Sequence, residues 1–171
     1  MQFICDKHRR EFLSEPTAAL ESWEQWMHLG VKAFEREEWD SAILLLGCCY
    51  EASEWLLSQP ELHEPDADNS LNAIDRFMVS GHQLAESYGR KGEYRLELKF
   101  LLRVHDYLNS LSRYPQHSLH HNIFHLPLKY SLEICQIMLD RYYKQRGDFD
   151  EYCHCLEQTF HSIEKLRYQL N

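Results

Sequence analysis

The side chains best suited to direct chemistry in this sequence are histidines and cysteines near its two ends. Cys5 and His8 form a Cys-x-x-His pair, and residues 153–155 read Cys-His-Cys. Closely spaced pairs of this kind are typical of tetrahedral zinc sites. A single Cys-x-x-His pair is incomplete, and a Cys-x-Cys on a helix directs its two thiols to different faces. Cys5 and His8 therefore remain candidate metal ligands without a complete site.

A second group of histidines lies in the segment 113–126, at positions 117, 120, 121 and 125. On a helix, His121 and His125 would share one face, and neutral imidazole is a good ligand for zinc, nickel or copper. The segment contains no carboxylate or cysteine that could complete such a site. The favoured interpretation is a polar linker, with His121 and His125 kept as candidate ligands.

Motifs of enzymes and of cofactor binding are missing from the sequence. It has no glycine-rich phosphate loop, no His-Glu-x-x-His, and no serine or cysteine in a recognised nucleophile context. A segment that begins at Asp66 resembles the start of a calcium loop, but it has Leu71 in place of the glycine and Phe77 in place of the closing glutamate. We therefore expect a protein that is not an enzyme and binds no cofactor.

Length and charge limit the remaining classes of function. The 171 residues suit one domain with a sizeable core, and the net charge is −9. The first 68 residues carry 5 basic against 15 acidic side chains. Nucleic-acid phosphates would repel such a surface, so we expect no nucleic-acid partner.

Hydrophobicity predicts neither a membrane span nor a secretory signal. The longest apolar run, residues 42–50, is far shorter than the roughly 20 residues that cross a bilayer. Charged residues at positions 6, 7, 9 and 10 interrupt any apolar segment of a signal peptide. The expected location is the cytoplasm, where the six cysteines would be reduced thiols.

An internal repeat organises the chain. Five sets of similar residues recur at intervals of 55 positions. They are Leu29, Leu84 and Leu139; Ala33, Tyr88 and Tyr143; Trp39, Tyr94 and Phe149; Leu46, Leu101 and Leu156; and Leu56, Leu111 and Leu166. In each copy the aromatic residue of the third set is the last residue of a short turn signal between two segments of helical periodicity. Each copy is therefore predicted to be a helical hairpin.

The predicted fold is an all-α domain over 1–171, made of three hairpins and six main helices in a short solenoid or bundle. The hairpins are expected at about 16–58, 69–112 and 127–169. Proline and aspartate mark the segment 59–68 as a linker. The segment 113–126 is the second linker, and Pro127 is placed to start the third hairpin.

The first hairpin resembles a tetratricopeptide (TPR) repeat. The residues that carry the resemblance are Trp26, Leu29, Gly30, Ala33, Trp39, Ala42 and Leu46. It extends more weakly to 78–111 and 133–166, where Glu97 and Tyr152 replace the small Ala42. The 55-residue interval exceeds the family period of about 34 residues, which implies longer helices and linkers.

The resemblance implies a protein-interaction module in which the first helix of each hairpin lines a groove for a partner peptide or helix. The lining residues would be Met27, Val31 and Phe34, then His82, Glu86 and Arg90, then Ile137, Arg141 and Lys144. An apolar end and a basic end suit a partner with hydrophobic and acidic groups, and the oligomeric state stays open. The alternatives are ordinary core packing of the apolar residues, and a metal- or ligand-sensing helical protein that uses the histidine or cysteine groups.

Overall fold

A computed structural model describes residues 2–15, 17–59, 72–113, 121–146 and 149–169. These ranges form helices joined by turns and contain no strand. The helices are α1 (Asp6–Ser14), α2 (Thr17–Glu35), α3 (Trp39–Leu57), α4 (Ala73–Lys91), α5 (Tyr94–Arg113), α6 (His121–Arg146) and α7 (Phe149–Gln169). None of these helices combines the length and the apolar character that crossing a bilayer requires.

The prediction of an all-α fold is confirmed, but the described ranges contain seven helices rather than six. The additional helix, α1, is nine residues long, and Phe12 is its buried residue. A helix this short and polar leaves almost no apolar periodicity in the sequence, and its N-cap position, Cys5, makes no capping bond through its side chain. Contacts with the rest of the chain therefore stabilise it.

The start of α6 also differs from the prediction. The helix begins at His121, upstream of Pro127, so residues 121–126 are helical rather than part of a linker. Proline is favoured in the first turn of a helix, and this preference placed the predicted start too late. Residues 114–120, the remainder of that linker, and residues 60–71, which include most of the first linker, lie outside the described residues.

The chain divides into two compact units, Met1–Glu97 and Leu98–Asn171. In the first unit, α3 packs against both α2 and α4, and α1 packs against α2. In the second unit, α6 packs against α7. The largest fully buried side chains of the first unit include Tyr50, Phe77, Leu46 and Leu84, and those of the second include Leu132, Leu139 and Leu166.

The repeat interval coincides with the helix boundaries. Trp39, Tyr94 and Phe149, which are 55 positions apart, are the first residues of α3, α5 and α7. The first two predicted turns, residues 37–39 and 92–94, are thus located correctly to within one residue, although Trp39 and Tyr94 begin the second helices rather than end the turns. The third turn, at 147–148, lies outside the described residues.

The first two turns share a hydrogen-bonding pattern that places one residue in a left-handed conformation. Glu38 N–H donates to the Ala33 carbonyl, and 55 positions on Glu93 N–H donates to the Tyr88 carbonyl, both at 2.9 Å. This is the long bond of a Schellman motif, whose left-handed position usually holds glycine. Gly92 occupies that position with φ 88°, whereas the first turn has Glu37 with φ 59°.

We expect Glu37→Gly to stabilise the first unit by about 0.5–1 kcal/mol. The left-handed conformation costs a non-glycine residue about 1–2 kcal/mol, and the greater unfolded-state freedom of glycine offsets part of that gain. The matched change Gly92→Ala should destabilise by about 1–2 kcal/mol, because the added methyl meets open space and only the backbone is strained. Urea unfolding measures the free energy of unfolding of both variants. The same change in this free energy for Glu37→Gly and Gly92→Ala would contradict the assignment of strain to Glu37.

Candidate interaction surface

Two of the first three predicted groove residues, Met27 and Phe34, contact other residues of the first hairpin. Met27, Val31 and Phe34 are all half-buried on α2. Met27 contacts the apolar cluster that α1, α2 and α3 form together. The Phe34 ring meets Trp39 edge-on, with ring centroids 5.3 Å apart. These contacts favour the interpretation of Met27 and Phe34 as packing residues of the hairpin.

The second set, on α4, runs from the core to the surface. His82 is only 9% exposed, and burial lowers the pKa of its imidazole to about 4. Glu86 is half-buried and pairs with exposed Arg90, whose Nη2 lies 3.3 Å from Glu86 Oε1. Only the Arg90 end of this set is therefore available to a partner.

The third set forms an exposed face. Ile137 is 64% exposed on α6, and Arg141 and Lys144 are exposed on the same helix. Tyr130 and Ile134, at 53% and 40% exposure, extend this face toward the start of the helix. The five residues follow one another at intervals of 4, 3, 4 and 3 positions, so they lie along one side of the helix. We call them the α6 face.

The opposite side of α6 is buried. Its buried residues are Leu128, Ser131, Leu132, Cys135, Leu139 and Tyr143. On an ordinary amphipathic helix the outward side is polar. Here Tyr130, Ile134 and Ile137, which follow one another along the outward side, are large apolar residues instead. Contiguous exposed apolar groups of this kind mark interaction sites.

Positive charge is concentrated at the C-terminal end of the α6 face. Arg141 makes no ion pair with any residue in the described ranges. Lys144 Nζ lies 2.6 Å from Asp140 Oδ2, and the Lys144 side chain remains largely exposed. At the other end, Lys129 is 3.9 Å from Glu133. An acidic group of a partner would therefore meet Arg141 with the least competition.

The sequence interpretation missed Tyr130 and Ile134. The repeat alignment assigned three residues to each copy, and Ile137 is the first of the three in the third copy. Continuing the same helical spacing backward from Ile137 reaches Ile134 and then Tyr130. That extension was the available signal, but periodicity alone does not say which side of an apolar helix faces solvent.

The metal candidates do not assemble into a site within the described residues. Cys5 Sγ and His8 Nδ1 are 3.2 Å apart, and the His8 ring also meets Trp26 edge-on. No three histidine, cysteine, aspartate or glutamate side chains in the described ranges are grouped to hold a metal ion. The side chains of His121 and His125 lie outside the described residues.

One buried polar cluster has the connectivity of a catalytic relay. His105 Nε2 lies 2.6 Å from Thr159 Oγ1, and His105 Nδ1 lies 3.2 Å from Asp106 Oδ1. Both His105 and Thr159 are fully buried, and the Thr159 hydroxyl donates to the Cys155 carbonyl at 2.8 Å. A buried hydroxyl engaged in this way is inaccessible to a substrate, so the cluster joins α5 to α7 inside the second unit.

Most of the chain matches the model of one protein family. Residues 21–169 match the family described as a protein of unknown function, DUF2753. The chain belongs to the DUF2753 family. No curated protein and no solved structure matches it. The DUF2753 span runs from within α2 to the end of α7, so it contains the whole α6 face and leaves out α1.

Proposed function

We propose that this DUF2753 protein is a non-enzymatic protein-interaction module, an adaptor or regulator that binds a partner helix or peptide through the α6 face. The observation that carries the proposal is the exposed row of Tyr130, Ile134 and Ile137. A soluble helix gains nothing from exposing three large apolar groups in line. A partner that covers them removes apolar surface from water, which favours binding by about 25 cal/mol of free energy for each Å² buried.

The geometry of the row favours a helical partner segment. Spacings of three and four residues are those by which one helix meets another along its length, and amphipathic ligand helices use apolar anchors at the same intervals. Neither Ile134 nor Ile137 offers a hydrogen bond through its side chain. Burial of apolar area would therefore dominate affinity, and polar groups would set the orientation of the partner.

The basic side chains at one end of the α6 face would set the orientation of the partner. Arg141 and Lys144 follow the apolar row, so an acidic group at the corresponding end of the partner would be attracted, although the protein itself is acidic with a net charge of −9. Reversed orientation would place that acidic group near Glu133. The partner would thus be an amphipathic segment with acidic residues at one end.

The resemblance to TPR proteins supports the same class of function. The three aromatic residues that begin α3, α5 and α7 belong to a repeated hairpin plan, and TPR hairpins display binding residues on their first helices. α6 is the first helix of the third hairpin. The binding residues would thus lie on the first helix of a hairpin, as in TPR proteins, and on one helix of the second unit.

Site-specific crosslinking tests the proposal with the full chain. A photoreactive phenylalanine analogue at position 137 should crosslink a partner in cells, and the adduct should map to an amphipathic segment with acidic residues at one end. The matched control position is 44, since Leu44 is exposed to 55% on α3. Equal crosslinking at both positions, or none at 137, contradicts the proposal.

With the crosslinked segment as a synthetic peptide, Ile137→Asp and Arg141→Glu should each weaken binding at least about tenfold, equivalent to about 1.4 kcal/mol. The controls are Leu44→Asp and Arg95→Glu, which make the same changes at exposed positions of the first unit. Thermal unfolding should be nearly unchanged in all four, because exposed side chains contribute little to stability. Loss of binding in the controls alone would move the site to the first unit.

A further inference from the structure

The α6 face has a direction, because its apolar and basic residues occupy different ends of it. Tyr130, Ile134 and Ile137 come first along the helix, and Arg141 and Lys144 follow. With a rise of about 1.5 Å for each residue, the face extends over about 21 Å. A partner therefore meets an apolar stretch and a basic stretch in a fixed order.

The two ends of the α6 face also differ in the charge that is free to act on a partner. At the start of the face, Lys129 lies 3.9 Å from the carboxylate of Glu133, so these two charges largely compensate. At the other end, Arg141 is exposed and makes no ion pair with any residue in the described ranges. Lys144 contacts Asp140 at 2.6 Å, but 74% of the Lys144 side chain is exposed. Carboxylates of a partner would therefore be held at the Arg141 end.

The backbone of α6 favours one direction of a partner helix. A helix carries partial positive charge at its N-terminal end and partial negative charge at its C-terminal end. Arg141 and Lys144 lie near the C-terminal end of α6, which ends at Arg146. A helix that runs antiparallel to α6 would place its positive N-terminal end beside this negative end.

The stability of the partner helix favours the same direction. In an antiparallel partner, the carboxylates that meet Arg141 belong to its first turn, where acidic residues stabilise a helix. In a parallel partner they would belong to its last turn, where they oppose the helix dipole. Both effects of the backbone therefore favour the antiparallel arrangement.

We infer that the partner of the α6 face is a helix that runs antiparallel to α6 and carries its acidic residues in its first turn; this rests on the proposed function of that face. Read from its own N-terminus, such a helix meets the α6 face in reverse order, at intervals of 3, 4, 3 and 4 positions. The partner segment therefore has acidic residues at positions 1 and 4 and large apolar residues at positions 8, 11 and 15.

Two fluorescent synthetic peptides of 15 residues test the direction, each titrated against the full chain and followed by anisotropy. The first has glutamate at positions 1 and 4, leucine at positions 8, 11 and 15, and alanine and glutamine elsewhere. The second has the same residues in reverse order, so it matches the α6 face only in the parallel direction. Both have blocked ends and a hydrocarbon staple between positions 6 and 10, which keeps both helical. We expect the first peptide to bind at least about threefold more tightly.

Crosslinking measures the direction itself. A photoreactive phenylalanine analogue at position 144 of the chain should attach to the first four residues of the first peptide, and the same analogue at position 130 should attach near its last residue. Ile137→Asp should remove binding of this peptide, and Arg141→Glu should weaken it at least about fivefold. The controls Leu44→Asp and Arg95→Glu, at exposed positions of the first unit, should leave its affinity unchanged.

The possible failures separate the direction from the proposed function. Equal affinities, tighter binding of the second peptide or a reversed crosslinking pattern overturns the antiparallel direction, while loss of binding in Ile137→Asp still supports the α6 face. If neither peptide binds at millimolar concentration although position 137 crosslinks a partner in cells, the inferred pattern alone is overturned. Binding to vesicles of anionic lipid that Ile137→Asp abolishes would overturn a helix as the occupant of the face.

Discussion

Trp23→Ala should lower the free energy of unfolding of the first unit by about 3–5 kcal/mol, the range for truncation of a buried large aromatic side chain. Trp23 is buried on α2, and its indole Nε1–H donates to Ser80 Oγ on α4 at 2.8 Å. The Ser80 hydroxyl in turn donates to the Arg76 carbonyl at 2.6 Å. Truncation leaves a cavity and also breaks this link between α2 and α4.

Two companion variants separate the cavity from the hydrogen bond. Ser80→Ala removes the acceptor and leaves a buried indole N–H unpaired, which should cost about 1–3 kcal/mol. Trp23→Phe keeps much of the ring volume and loses the donor. Urea unfolding of the single and double variants gives the coupling energy of the pair. A loss below about 1 kcal/mol for Trp23→Ala would contradict the burial of this side chain.

The first unit should lose stability as the pH falls from 6.5 toward 4, because of His82. Burial lowers the pKa of the folded-state imidazole from 6.5 to about 4. Between these values the unfolded chain binds a proton that the folded chain does not, so acidification favours unfolding. The full contribution is about 3 kcal/mol, present above pH 6.5 and lost as the pH approaches 4.

A paired comparison isolates this effect from the titration of carboxylates. The free energy of unfolding is measured by urea at steps between pH 7 and 4 for the unaltered chain and for His82→Leu. As the pH falls, the free energy of unfolding of the unaltered chain should decrease steadily relative to that of His82→Leu. His28→Leu, at an exposed histidine on α2, should show no comparable trend. A pH-independent difference for His82→Leu would mean that the buried imidazole does not resist protonation.

Local chemistry determined most of the secondary structure. Turn signals and helical periodicity predicted turns that include Trp39, Tyr94 and Phe149, and these residues are the first residues of α3, α5 and α7. The agreement is close because turns and helix starts depend on neighbouring residues in the chain. α1 escaped prediction since its stability comes from Phe12 and Ile4 contacting distant helices. The early start of α6 escaped it because the prediction relied on one local preference of proline.

The sequence by itself determined an all-helical chain built on a 55-residue repeat, and tertiary structure decided which repeated positions became surface. Met27, His82 and Ile137 occupy the same repeat position, yet they are respectively half-buried, buried and 64% exposed. Periodicity specifies a side of a helix but not what covers it. The apolar cluster that α1, α2 and α3 form together partly covers Met27, and the interior of the first unit encloses His82. In contrast, α6 turns its other side to the interior of its unit and leaves Ile137 in solvent. A candidate site at this repeat position therefore depends on contacts between residues far apart in sequence, which spacing alone does not encode.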